Sequence, residues 1–552
     1  MHIRLYFVCF LFVFSSCSNN QVSVKNEKEG KLNSTYQLMV SDEKKIALDS
    51  ETPTRPPYMQ IYTDSTGNRL LTFLNSYKNS IYFYDYDNSS YQKKIVYNRE
   101  GSDAIMRVAG YYIKSPDSIY VYNMPMTEVD LTDSMGKVKN RISLRTNEPD
   151  WPDRYPQYWL KTVNPFIRIG NKIYLTGQTF RSLTMSNIMN FKFTACIDML
   201  NNAIDFRYTY PKEIYSDTNW EDGIATQVYP CLSPDGNLIH SFPASHDLYV
   251  CELNSNVITK IYGGSNVATA IHSIDYDEPR KTPGELCLVH YVQQDMYGAI
   301  IYDNYRKIYY RFLERGIPNA TIQMPMKDKL INVIIMNEKF KYLGETTLGT
   351  GKEWNWANSF VTEEGLNIEY LDKNDLDENY LIFKILTLKK IKLMTVLNKY
   401  ITNVLFLGLF LFASCEDKIE KKEKIFLSNA IERLSVNQQY EWVILLPGIG
   451  CHGCIQEAEF FMKKHISNEK ILFVLTNIES LKILQQKTGV EIKSHPNVYI
   501  DRNNQFKLPT DHSIYPCVIQ VNQGKLQQYA FQSPKTPALY NLEKLLKQQH
   551  KE

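Results

Sequence analysis

Six short stretches constrain this chain most, because each sets a tight turn against a strand in which apolar and polar positions alternate. They are "KNSIYFYDYD" from Lys78, "SPDSIYVYN" from Ser115, "IGNKIYLTG" from Ile169, "LSPDGNLIHSF" from Leu232, "SHDLYVCEL" from Ser245 and "NYRKIYYRF" from Asn304. Asp, Asn and Gly supply the turns, and the Ile-Tyr alternation supplies one buried face per strand. The 39 tyrosines fit half-buried strands better than helix surfaces. No helix-period stretch interrupts the region, and Ile81, Ile119 and Ile173 recur at irregular, blade-like spacing. Strand signal from residue 34 to 389 is too long for one sandwich; it predicts an all-β propeller of six or seven four-stranded blades, at roughly 40 to 60 residues each.

At 552 residues the chain exceeds one ordinary core, so further domains are expected. The 62 basic and 60 acidic residues nearly cancel, and nothing in their distribution points to nucleic acid.

Two hydrophobic segments divide the chain. Residues 1–17 run from His2 and Arg4 through the apolar Leu5 to Phe14 into small residues and Cys17. This is the order of a secretory signal, far short of the roughly 20 residues that span a bilayer. Residues 390–415 repeat the recipe: Lys389, Lys390, Lys392 and Lys399 precede Val404 to Ala413, Met394 stands where a start residue would, and Ser414 and Cys415 close it. A buried helix or core strand is the alternative, but it has no need of four lysines, an internal Met and a small-small-Cys exit.

"FSSC" and "FASC" both resemble the lipobox of bacterial lipoproteins, with Phe14 in place of the commoner Leu. That resemblance implies lipidation at Cys17 and Cys415 and a lipid-anchored protein of the bacterial cell envelope, periplasmic or at the outer-membrane surface. A soluble secreted protein is the alternative. The repetition reads as two lipoprotein reading frames joined, by fusion or by a lost stop. Residues 18–33 are then expected as a polar tether and residues 416–429 as a polar linker.

The Ser-Pro-Asp-Gly turn of "LSPDGNLIHSF" is similar to blade turns of six-bladed TolB-like propellers. The region from about residue 30 to 390 resembles the Bacteroidetes lipoproteins of the DUF4221 family, a resemblance that supports a fold but does not assign a function. "GETTLGTGKEW" at 344–354 has the wrong glycine spacing for a phosphate loop, carries Glu353 where a Ser or Thr would hold magnesium, and is read as a loop. His240, His246, His272 and His290 lack ligand-like spacing, so no metal site is expected. Cys196, Cys231, Cys251 and Cys287 could pair in three ways in an oxidising compartment. "EWNWANSF" from Glu353 would suit a glycan or peptide, or equally a packed strand edge. The propeller reads as a binding module for an unidentified protein or glycan.

Residues 430–552 carry clearer chemistry. "YEWVILLPG" is a buried strand, "IGCHGC" follows, and "IQEAEFFMKKH" places apolar residues on one helical face. Cys451 and Cys454, two residues apart at a strand-to-helix junction, have redox-site spacing. Free helix N–H groups and the helix dipole would stabilise a Cys451 thiolate, from a pKa of about 8.5 toward roughly 3.5 to 7.5, and protonated His452 would add to this. Cys454 would then resolve a mixed disulfide formed on Cys451. A strand in "KILFVLTN", a helix in "ESLKILQQKTG" ended by Gly489, a strand in "NVYID", a hairpin turned at "NQG" and a last helix from about Thr536 complete an α/β unit.

This order resembles thioredoxin-like lipoproteins of the TlpA type. The resemblance implies that Pro516 is the cis-proline facing the CxxC pair and excluding metal, and that Tyr515 offers backbone groups to a substrate peptide. Gly450 replaces the Trp that commonly precedes the first cysteine, and "WVILLPG" holds no buried acid. Cys517 reads as a small core residue, with a regulatory partner for the pair as the sharper idea.

The reading is therefore a propeller followed by a thioredoxin-like thiol–disulfide oxidoreductase without cofactor, acting on envelope protein thiols or disulfides. The alternative is a non-catalytic two-module binding lipoprotein in which the CxxC is a structural disulfide. A zinc or copper site lacks a second CxxC or His pair nearby, and Ile455 after Cys454 excludes a c-type haem site.

Overall fold

The computed structural model describes residues 21–145, 156–180, 182–220, 223–253, 255, 257–275, 282–375, 377–391, 416–434, 439–502 and 504–549. Six four-stranded antiparallel sheets form a six-bladed β-propeller. Five blades are built from consecutive strands, beginning at Met59, Val108, Ile167, Tyr229 and Met296. The sixth takes Trp354–Val361, Leu366–Tyr370 and Tyr380–Lys390 and is completed by Tyr36–Ala47, paired from Tyr36 opposite Lys390 to Ala47 opposite Tyr380. That pairing closes the ring, which settles the count at six.

The six sequence stretches all become blade strands, with Asn79 (φ 51°), Gly170 (φ 59°), Gly236 (φ 82°) and Lys307 (φ 59°) among their turns. The expectation of one buried face is corrected. Ser80–Asp85 is buried from Ser80 through Tyr84, and Ile308–Glu314 from Ile308 through Leu313. Blades pack face to face, so an inner strand has a neighbour on both sides. Tyrosine suits this setting because its ring fills the seam while its hydroxyl finds a buried acceptor: Tyr58 Oη donates to the Tyr111 carbonyl at 2.8 Å, and Tyr111 Oη to Thr72 Oγ1 at 2.9 Å.

Asn79 ties the first blade to the second. Its Nδ2 donates to the Tyr97 and Ile105 carbonyls at 3.0 and 2.7 Å, and its Oδ1 accepts from the Val108 amide at 2.9 Å. Asn79→Ala strands these three backbone groups and loses a residue suited to the left-handed turn. It is expected to destabilise the propeller by about 2 kcal/mol in urea unfolding.

Several sequence expectations are corrected. The tether is bound from Gln21 onward: Ser23 and Val24 pair with His272 and Ile271, and Asn26 Nδ2 donates to the Ser265 and Ala268 carbonyls, both at 2.8 Å. A two-residue strand has no periodicity to read. Helix α1, Gly284–Gln293, interrupts the strand succession between the fourth and fifth blades. "GETTLGTGKEW" is mostly strand, Tyr342–Thr350, and a Cβ on Gly344 would lie 1.9 Å from the Tyr36 carbonyl oxygen, so this glycine serves blade packing. "EWNWANSF" forms Trp354–Val361, the edge strand of the sixth blade, and its Trp356 stacks on Phe312 at 5.5 Å, which is the packed strand edge among the two readings above.

Cys196, Cys231 and Cys251 are buried free thiols, and Cys287 lies half-buried in α1. His240 is fully buried, its Nδ1 3.3 Å from Cys251 Sγ, and burial pushes its pKa down to about 3. As pH falls below about 6.5 the unfolded chain takes up a proton that the folded one refuses, so this site costs about 2 kcal/mol of stability by pH 5. His240→Phe is expected to lose that much less stability between pH 7 and 5, read from thermal unfolding at each pH.

The remaining residues form a second unit. Residues 416–429, expected as linker, belong to helix α2, Glu416–Leu434, which buries Leu427, Ala430 and Ile431. The mixed-charge run disguised the apolar stripe of its second half. The strands are β1 (Trp442–Pro447), β2 (Ile471–Thr476), β3 (Val498–Asp501), β4 (Cys517–Asn522) and β5 (Lys525–Phe531), in sheet order β3-β2-β1-β4-β5. The first three are mutually parallel; β4 runs antiparallel to β1, and β5 to β4. The β4–β5 turn places Gln523 and Gly524 at φ 51° and 72°, the left-handed pair of a tight hairpin. Helices α3 (His452–His465), α4 (Leu481–Thr488) and α5 (Ala538–Gln549) cover one face of the sheet, and α2 covers the other.

Among the described residues no helix is long and apolar enough to cross a membrane. Residues 1–17 and 392–415, with Cys17 and Cys415, lie outside the described residues; Lys389 and Lys390, read as the basic start of the second segment, instead pair with Gln37 and Tyr36 in the sixth blade.

Candidate functional site

Strand β1 is buried along its whole length and delivers the chain to Gly448, Ile449 and Gly450 at the carboxyl end of this central strand. Gly450 has φ 153°, and a Cβ there would lie 2.1 Å from the Ile514 carbonyl oxygen. This explains the missing tryptophan: no side chain fits between the turn and the loop opposite. The next residue, Cys451, is the N-cap of α3, and its carbonyl accepts the Ile455 amide at 2.9 Å. Its own amide donates to the Ile514 carbonyl at 3.0 Å, which locks the helix start to the loop before Pro516.

Cys451 and Cys454 are disulfide-bonded, with Cα atoms 5.3 Å apart. Cys454 is 5% exposed, whereas Cys451 is half-buried. An incoming sulfur therefore meets Cys451, with Cys454 behind it. The first-turn N–H groups of α3 lie at the same end, where a helix favours negative charge.

His452 is exposed, and its Nε2 is 3.0 Å from Gln456 Nε2, a contact along the helix rather than with Cys451. Pro516 is buried, and its carbonyl accepts the Gln532 amide at 2.8 Å. The Tyr515 amide donates to the His512 carbonyl at 3.0 Å, so any backbone offer to a substrate falls to its carbonyl.

The idea of Cys517 as a regulatory partner is corrected. Cys517 lies opposite Leu445 in the β1–β4 register and packs with Leu427, Val443 and Ile519 beneath α2, on the sheet face away from α3. Burial raises its thiol well above the usual range.

Sequence reasoning missed Glu423 of α2. It is 2% exposed; its Oε1 accepts from Thr510 Oγ1 at 2.5 Å and lies 2.8 Å from His512 Nδ1. It thereby anchors the loop that runs to Ile514, Tyr515 and Pro516. Within "EDKIEKKEK" it looks like one more solvated charge.

Among the described residues no cluster of His, Cys, Asp or Glu is arranged to hold a metal ion. A cavity of about 350 Å³ opens at Cys451 and is lined from both units of the chain.

Residues 35–347, more than half of the chain, match the family model for a domain of unknown function, DUF4221. A crystal structure of a DUF4221 member from Bacteroides vulgatus aligns with TM-score 0.56 and 21% identity, over 65% of this chain and 99% of that one. A Bacteroides fragilis protein described as exported aligns with TM-score 0.40 and 10% identity, over 64% of this chain and 96% of that one. Virginiamycin B lyase from Staphylococcus aureus aligns with TM-score 0.32 and 12% identity, over 64% and 99%. No functionally curated protein matches the chain.

Proposed function

The chain belongs to the DUF4221 family, and from that premise we propose that it joins a binding propeller to a thioredoxin-like thiol–disulfide oxidoreductase centred on Cys451 and Cys454. One observation carries the reading: a half-buried cysteine caps a helix, bonded to a buried cysteine one turn on and facing the Ile514–Pro516 loop. The sheet order, with the CxxC helix following the central parallel strand, supports it.

In the reducing direction the Cys451 thiolate attacks one sulfur of a client disulfide. A Cys451–client bond forms, and the other client sulfur leaves as a thiolate and takes a proton from water. The Cys454 thiolate then attacks Cys451 Sγ, re-forms the internal disulfide and expels the remaining client thiolate. Two electrons pass to the client, and an external dithiol reduces the pair again; the oxidising direction runs the same bonds backwards. A helix start favours negative charge, and so favours the attacking Cys451 thiolate once the pair is reduced.

The clients on this reading are protein thiols or disulfides of the bacterial cell envelope, with the chain lipid-anchored through Cys17 and, where the second segment is processed, Cys415. The propeller's ligand is a protein or a glycan. N-terminal sequencing of C-terminally tagged protein from membranes tests the anchoring: a single species beginning at Cys17 rejects separate processing at Cys415.

The redox reading is tested on the full chain by insulin reduction with dithiothreitol and by the pH dependence of Cys451 alkylation. Catalysed reduction lost in Cys451→Ser and Cys454→Ser, with a thiol titrating below about 7.5, is the expected result. A thiol titrating near 8.5 without catalysis leaves the non-catalytic binding protein with a structural disulfide.

A further inference from the structure

The two units meet through buried polar contacts. Lys482 of α4 is 8% exposed, and its Nζ donates to the carbonyls of Asp49, Thr52 and Glu378 at 2.6, 3.0 and 2.8 Å. The Glu378 carboxylate in turn caps α4, accepting from Ser480 Oγ at 2.6 Å and the Lys482 amide at 3.0 Å. Buried charges hold only where partners surround them, so these contacts specify one docked arrangement. At the other side of the cleft, Gln323 Nε2 donates to Asp511 Oδ1 at 2.8 Å.

Between these contacts lies the cavity at Cys451. Leu288 of α1, with Ile322 and Pro325 of the loop between the fifth-blade strands Ile308–Glu314 and Leu330–Asn337, lines one side, and Ile449, Ile514 and Tyr515 the other. Its volume of about 350 Å³ suits a short stretch of extended chain.

We infer that the propeller forms the outer wall of the exchange cleft and selects its clients, favouring an extended segment whose cysteine is flanked by apolar side chains. This rests on the oxidoreductase reading above. The wall opposite Cys451 excludes a cysteine set in a bulky folded surface and offers apolar contact to residues on either side of the reacting sulfur.

The test uses the reduced full chain and three disulfides: 2-hydroxyethyl disulfide, a nonapeptide ring closed by two cysteines with Val and Leu flanks, and the same ring with Glu flanks. Single-turnover rates are compared as ratios to the 2-hydroxyethyl disulfide rate. The expected result is a preference of about tenfold for the apolar ring, reduced to near unity by Leu288→Glu with Ile322→Glu. The pair Glu378→Ala with Lys482→Ala, away from the cleft lining, loosens the docking and is expected to lower the same ratio; it keeps the test decisive should the first pair fail to fold. Unchanged ratios in the folded variants, or equal rates for the two rings in the parent chain, overturn the inference while leaving the exchange chemistry intact. No reaction with 2-hydroxyethyl disulfide rejects the oxidoreductase reading itself, and the inference with it.

Discussion

Arg311→Ala is expected to destabilise the propeller by about 3 to 5 kcal/mol, the largest loss from any single side chain on the seam between the fourth and fifth blades. Arg311 is fully buried. Its Nε donates to Ser241 Oγ at 3.0 Å, Nη1 to the His246 and Gly263 carbonyls at 3.0 and 3.1 Å, and Nη2 to the Ser245 carbonyl at 2.8 Å. The guanidinium also lies 3.9 Å from the Tyr297 ring centroid. Burial pushes its pKa down to about 10, which leaves it charged at neutral pH. Truncation strands several buried carbonyls and opens a cavity beside Tyr297. Arg311→Met, which fills most of the space without the donors, separates the two contributions. Urea unfolding of the propeller transition is the measurement, read as a shift in midpoint at constant slope. A loss below about 1 kcal/mol for the alanine variant would falsify this account.

Gly450→Ala is expected to cost about 3 kcal/mol and to slow disulfide exchange about a hundredfold. A Cβ at Gly450 meets the Ile514 carbonyl oxygen at 2.1 Å and Ile514 Cα at 2.8 Å, in a backbone conformation (φ 153°) that side chains disfavour. Relief requires the loop to retreat, which breaks the Cys451 N–H bond to Ile514 and carries Tyr515 and Pro516 away from the disulfide. Gly450→Trp, which installs the residue common in the resembled proteins, is expected to be worse rather than restorative. Single-turnover reaction with 2-hydroxyethyl disulfide, alongside thermal unfolding, reads both effects. An alanine variant with parental stability and rate would show that the loop yields freely and that the close approach has no role.

The local pieces were legible in the amino-acid order. Turn residues followed by alternation gave the blade strands, and two cysteines after a buried run gave the helix-capping pair, because these signals lie within a few residues of each other along the chain. "NYRKIYYRF" shows where that reading ends: alternation treats Arg311 as an outward polar position, yet a neighbouring blade covers it and supplies carbonyls to its donors. Closure of the ring by Tyr36–Ala47, the bound leader, the anchoring of the Ile514–Pro516 loop by Glu423 and the shared cleft at Cys451 were decided only by the tertiary structure. In each case the partners are distant in sequence. What they recognise is the polar groups of distant segments, backbone or side chain, and the space between packed elements, neither of which leaves a periodic trace along the chain.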